Sequence, residues 1–226
     1  MPPVVQEREV STTPRVERFF SRFRWVILGT LLLVIAVLTG FFTYQQREAA
    51  LLDKGTYEVE QLEERFARLQ TSDREQVGDE EVLSLEEDLK GVVDTYGKAY
   101  PSQRAMYLLG HLAFWQEDWD DASIWFDRLA KEFPRSYLAA VALLDAAAAR
   151  ENLGDTSGAT TRYEKVIEAG FSVLKPRALF SLGRLKESSG DREGARQIYT
   201  QLLEDYPSSQ WSHLARDRMI FLQLQE

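Results

Sequence analysis

At 226 residues the chain has room for one ordinary domain with extra segments, or for two small ones, and its 44% hydrophobic and 28% charged residues suit a folded core. A formal charge of −9 argues against a phosphate backbone as partner, and the absence of cysteine excludes disulfides, thiolate metal ligands and thiol catalysis. Only His111 and His213 offer imidazoles, a thin supply for metal binding or for acid–base chemistry near neutrality.

The charge is unevenly spread. Residues 1–24 carry five Arg against three Glu, a net +2, and no charge lies in 25–46, so the rest of the chain carries −11. The first stretch, with "MPPVV" and "STTP", reads as a short disordered cytoplasmic tail. From Trp25 to Tyr44 follow 20 residues, mostly Leu, Val, Ile and Phe. As a helix they cover about 30 Å, the hydrocarbon thickness of a bilayer. Trp25 and Tyr44 bracket the block where amphipathic rings prefer the headgroup level. A soluble core helix would keep a polar stripe, and a cleavable signal would have a shorter apolar run followed by a small-x-small site, which "GFFTYQQRE" lacks. The expectation is an uncleaved transmembrane helix over 25–44. Arg15, Arg18, Arg22 and Arg24 precede it, whereas Arg47 and Lys54 follow, which favours a cytoplasmic N-terminus and an exported C-terminal body.

Beyond the span, residues 45–103 read as a stalk helix (45–70) and a degenerate first repeat. The polar "TSDREQVGDEE" serves as an extended loop, and a second helix ends near Pro101. The apolar residues Leu51, Leu52, Val59, Leu62, Phe66 and Leu69 of 45–70 would pack on the following helix, or pair with a second copy of the chain. Over 104–207 one motif is then written three times. The copies are "YLLGHLAFWQEDWDDASIWFDRLAKEFPRS" from Tyr107, "LDAAAARENLGDTSGATTRYEKVIEAGFSV" from Leu144 and "FSLGRLKESSGDREGARQIYTQLLEDYPSS" from Phe180. In each, a small residue (Gly110, Ala147, Gly183) precedes an alanine (Ala122, Ala159, Ala195) and an aromatic (Phe126, Tyr163, Tyr199). Pro134, Phe171 or Pro207 follows, so the middle copy lacks its proline. The small residue lets two helices approach closely, and the aromatic fills the space beside it. Asp118, Asp155 and Asp191 fall at the turn, where Asp caps a helix. Residues 208–226 begin with a Ser cap and close the array with an amphipathic helix that turns Trp211, Leu214, Ala215 and Met219 inward.

These blocks resemble tetratricopeptide repeats. The copies start 37 and 36 residues apart, longer than that family's period, with extra residues between repeats. The resemblance implies an all-α fold, a short right-handed α-solenoid of helix pairs behind the transmembrane helix, and a peptide-binding concave wall made of first helices. Mapped onto this sequence, that wall holds Arg104, Tyr107, His111 and Trp115, then Leu144, Ala148 and Asn152, then Arg177, Phe180, Arg184 and Ser188. Aromatics beside Arg are the composition of an interaction hot spot, although Tyr107 and Phe180 could equally serve as repeat packing. The carboxylate clamp of some relatives needs Lys and Asn where Tyr107 and His111 stand, so its ligand is disfavoured.

No catalytic set is recognisable, nor is any phosphate-binding loop, metal motif or cofactor motif. The acids Asp120–Asp121 and Glu86–Glu87–Asp88 read as solvated helix faces, and His111 as a surface or groove residue. Topology, length, repeats and the "YPSSQWSHLARDRM" ending also resemble the YfgM-type single-span ancillary subunit of the bacterial Sec translocon. That likeness implies a non-enzymatic scaffold on the periplasmic or extracytoplasmic side of the inner membrane. Its partners would be translocon subunits, periplasmic chaperones or envelope proteins, and no cofactor is implied. The competing readings are an envelope or outer-membrane assembly adaptor and a structural oligomer paired through the 45–70 helix.

Overall fold

The computed structural model describes residues 14–72 and 77–224, and among these the chain is all-α, with nine helices and no strand. They are α1 (Pro14–Thr71), α2 (Asp79–Tyr96), α3 (Tyr100–Trp115), α4 (Trp119–Glu132), α5 (Tyr137–Asn152), α6 (Thr156–Glu168), α7 (Lys175–Ser188), α8 (Arg192–Asp205) and α9 (Gln210–Leu224). The chain divides into two compact units, Met1–Leu51 and Leu52–Glu226.

In the first unit every described side chain from Trp25 to Leu51 is exposed, including the whole apolar row Leu31–Ile35. α1 is the one helix among the described residues long and apolar enough to cross a membrane. Its most apolar 18-residue window has a mean hydropathy of 1.8 and nothing in the chain buries it. The helix begins at Pro14, so the backbone of 14–24 is helical where a disordered tail is expected. Proline suits a first turn, because its missing N–H is one that no helix start uses. Residues 1–13 of that expected tail lie outside the described residues.

The second unit is a solenoid of helix pairs. Val59, Leu62, Phe66 and Leu69 on the later part of α1 are buried in one cluster with Val82, Leu85, Leu89, Val92 and Val93 of α2 and with Leu109 and Leu112 of α3. The apolar face of 45–70 is therefore packed on its own chain from Val59 onward. The extended loop expected over 71–81 is shorter, since Asp79, Glu80 and Glu81 already form the first turn of α2, where acids favour the positive end of the helix dipole. Residues 73–76 of that loop lie outside the described residues. The helix expected to end near Pro101 stops at Tyr96 instead, and Pro101 sits in the first turn of α3.

Further along, α3/α4, α5/α6 and α7/α8 form three similar pairs, and α9 stacks on the last of them. Each second helix starts in the same way. The carboxylates of Asp118, Asp155 and Asp191 accept from the backbone N–H three residues on, at 3.1, 2.8 and 2.9 Å. The α3/α4 and α7/α8 pairs close around a glycine with no room for a side chain, and α5/α6 closes on the fully buried Ala147. A Cβ built on Gly110 would lie 2.4 Å from the Phe126 ring, and one on Gly183 would lie 2.4 Å from the Tyr199 ring. Ala122, Ala159 and Ala195 are fully buried at these contacts. The closing helix buries Ser212, Ala215 and Leu222. Leu214 is 45% exposed, against expectation, because the buried face follows the 212–215–219–222 register and position 214 lies well off it.

Candidate functional site

Acids tie the first helices α3, α5 and α7 and the closing α9 to one another, meeting a tyrosine and a histidine of α3 and arginines of α7 and α9. Arg104 at the start of this row pairs backwards with Glu63 and Glu60 of α1, the latter at 3.5 Å. Asp145 of α5 is a hub. It accepts from the Tyr107 hydroxyl at 2.9 Å, lies 3.5 Å from His111 Nε2, and faces the Arg177 guanidinium of α7 at 3.6 Å. Burial, followed by the charge of Asp145, pushes the Tyr107 phenol well above its ordinary range. Further on, Glu151 of α5 accepts from Arg184 of α7, and Glu187 of α7 accepts from Arg218 of α9 at 3.0 Å and through a second guanidinium contact. Behind these pairs, Tyr163 donates to Glu151 at 2.5 Å and Tyr199 to Glu187 at 3.2 Å.

Between α5, α7 and α9 this arrangement leaves an open hollow of about 400 Å³. Ala148 and Ser181 keep the space empty, while Phe180 and Trp211, with ring centroids 5.5 Å apart, form an aromatic side. Arg177 and Arg184 form the charged side, and Asn152 stands at the edge, its amide donating to the Ala148 carbonyl at 3.1 Å. The side chains of Arg177 and Arg184 are 42% and 47% exposed, whereas Asp145 and Glu151 beneath them are 14% and 15% exposed. The acids are sunk and the guanidiniums face outward.

Five of the expected wall residues, Ala148, Asn152, Arg177, Phe180 and Arg184, therefore meet in one hollow. Tyr107 and His111 join it only through Asp145, and Arg104 is engaged with α1. Trp115 lies elsewhere, packed on the first core cluster and beside a smaller hollow with Val77 and Val82. Ser188 is exposed, bonds the Leu185 carbonyl and lines none of this space. Leu144 is 1% exposed and belongs to the second core cluster, so it is a packing residue with no wall surface to offer. Sequence reading missed Asp145 and Glu151 and placed Tyr163 and Trp211 in helix packing alone. A column signal for the seam was present, since Glu151/Glu187 and Tyr163/Tyr199 recur 36 residues apart in the aligned copies.

Helix pairs closed on a small residue and an aromatic, stacked so that their first helices share one wall, give the fold of a tetratricopeptide-type solenoid, and modules of that type bind proteins or peptides. Residues 177–209 match the tetratricopeptide repeat family, which covers α7 and α8. A TPR repeat-containing protein of Treponema pallidum (strain Nichols) is 31% identical over 127 residues, 56% of this chain, and the match spans about half (52%) of that relative's length. Among solved structures, a tetratricopeptide repeat protein from Parabacteroides merdae is similar in fold at 18% identity and TM-score 0.55, over 75% of this chain and 61% of that one. A kinesin-light-chain-like protein of Podosopora anserina with nearly identical repeats is similar at 12% identity and TM-score 0.56, over 77% and 89%.

Proposed function

We propose that this chain is a membrane-tethered interaction scaffold. Its solenoid stands on the exported side of a bacterial inner membrane and binds extended segments of translocon subunits, periplasmic chaperones or their clients. The role is binding, with no chemistry of its own. One observation carries the reading: an apolar helical stretch over 25–44 whose described side chains nothing in the chain covers is followed by a solenoid whose first-helix wall opens into an aromatic and arginine hollow. The arginine excess before Trp25 supports the orientation. Tethering supplies the mechanism, because a binding wall held at the membrane meets emerging chains at raised effective concentration. In spheroplasts, external protease should digest the body and leave the tail before Trp25 intact; a protected body would overturn the topology. A photo-crosslinker at Asn152 should capture export machinery or exported chains. Capture no greater than from Ile124, an exposed residue of α4 outside the hollow, would remove the groove from the account.

A further inference from the structure

Resting on the groove reading above, we infer that the hollow between α5, α7 and α9 takes an aromatic side chain from an extended protein segment, in preference to a carboxylate or a cation. Charge decides between these classes. A carboxylate arriving at Arg177 and Arg184 finds both guanidiniums already facing Asp145 and Glu151. Those acids are mostly buried and fixed: Asp145 accepts from Tyr107, and Glu151 from Tyr163. A third carboxylate would have to displace one of them or sit beside it unneutralised, and like charges brought this close repel. A lysine or arginine side chain meets two guanidiniums first, since these are the exposed members of each pair. An aromatic ring meets neither objection. Its electron-rich face is attracted by a guanidinium that remains outwardly exposed after pairing with a buried acid. Its edge can pack on Phe180 and Trp211, which are already tilted together at 36°. The floor leaves room because Ala148 stands where the matching position of the other repeats carries His111 or Arg184.

The test uses the full chain in lipid nanodiscs against an array of blocked pentapeptides Gly-Ser-X-Ser-Gly, with X varied over all side chains. Binding should be strongest for X = Trp, Tyr and Phe, at least about tenfold above X = Glu, Asp, Lys or Arg. Ala148→Phe fills the hollow from its half-buried position on α5 and should abolish the preference while leaving helicity unchanged. Trp211→Ala should weaken it by about tenfold. A preference for Glu, for Lys or for no class, still removed by Ala148→Phe, would overturn the aromatic assignment and leave the groove standing. Binding untouched by Ala148→Phe, or no binding to any pentapeptide, would remove the hollow as a peptide site and the assignment with it.

Discussion

The Tyr163 hydroxyl and the Glu151 carboxylate meet at 2.5 Å, and the same carboxylate accepts from Arg184 of the next repeat. Tyr199 and Glu187, thirty-six residues on, repeat the arrangement with Arg218 of α9. The tyrosine ring belongs to the core of its own pair, so its hydroxyl fixes the acid, and the acid reaches across the seam. Removing the acid leaves a buried phenol without its acceptor. Glu151→Ala should therefore cost about 1–3 kcal/mol, and Glu151→Gln less because an amide oxygen can still accept. Urea unfolding followed by circular dichroism measures both. An unchanged midpoint for Glu151→Ala would show that the seam is held by apolar packing alone.

A second prediction concerns the closest approach within each pair. Gly183 faces the fully buried Tyr199 ring, and a methyl group there would lie 2.4 Å from it. The ring is walled in by the third core cluster and has no free direction in which to retreat. Gly183→Ala should destabilise by about 1–3 kcal/mol even though alanine is the better helix former. Gly91→Ala on α2, where nothing lies within 4 Å, should instead stabilise by up to about 1 kcal/mol. The opposite signs of the two shifts in unfolding midpoint are the check.

The pair architecture was legible because its constraints sit at fixed spacing: a small residue, an alanine and an aromatic must occupy set positions for two helices to close. Asp118, Asp155 and Asp191 announced the caps for the same reason. The wall was less legible. Leu144 and Phe180 occupy equivalent positions in the aligned copies, yet one is buried in the core and the other lines the hollow. The difference arises from what the neighbouring repeat supplies, and a single-copy pattern does not carry that. Asp145 and Glu151 likewise look like solvated charges until the next first helix brings Arg177 and Arg184 against them. Trp211 was assigned to a closing helix as core and proved to be half of an aromatic pair with Phe180.

Between α3 and α4, Glu117 holds a left-handed φ of 65°, where the equivalent turns of the following repeats place Gly154 at 75° and Gly190 at 83°. A side chain in that region crowds its own backbone at about 1–2 kcal/mol, while glycine adopts it freely but loses more entropy on folding. The balance favours the substitution. Glu117→Gly should raise stability by about 0.5–1 kcal/mol, read from the thermal midpoint. A lowered midpoint would mean that the contacts of the Glu117 side chain outweigh its backbone strain.

The buried tyrosines also set a limit at high pH. Burial raises the Tyr163 phenol above its ordinary range, and its hydrogen bond to Glu151 adds to the effect; for Tyr199 burial leads, followed by the charge of Glu187. In the unfolded chain both phenols titrate near pH 10. Below that pH both states keep their protons and the contribution is fully present. Above it the unfolded state releases protons that the folded state retains, so stability falls with rising pH until the folded groups titrate too. The slope approaches about 1.4 kcal/mol per pH unit for each group. Urea midpoints measured from about pH 9 to about pH 11 should drop for the parent chain. The Tyr163→Phe, Tyr199→Phe double variant should start lower and decline less steeply. Equal slopes would mean that these phenols ionise in the folded protein as easily as in water, and that the acids beneath the wall do not hold them.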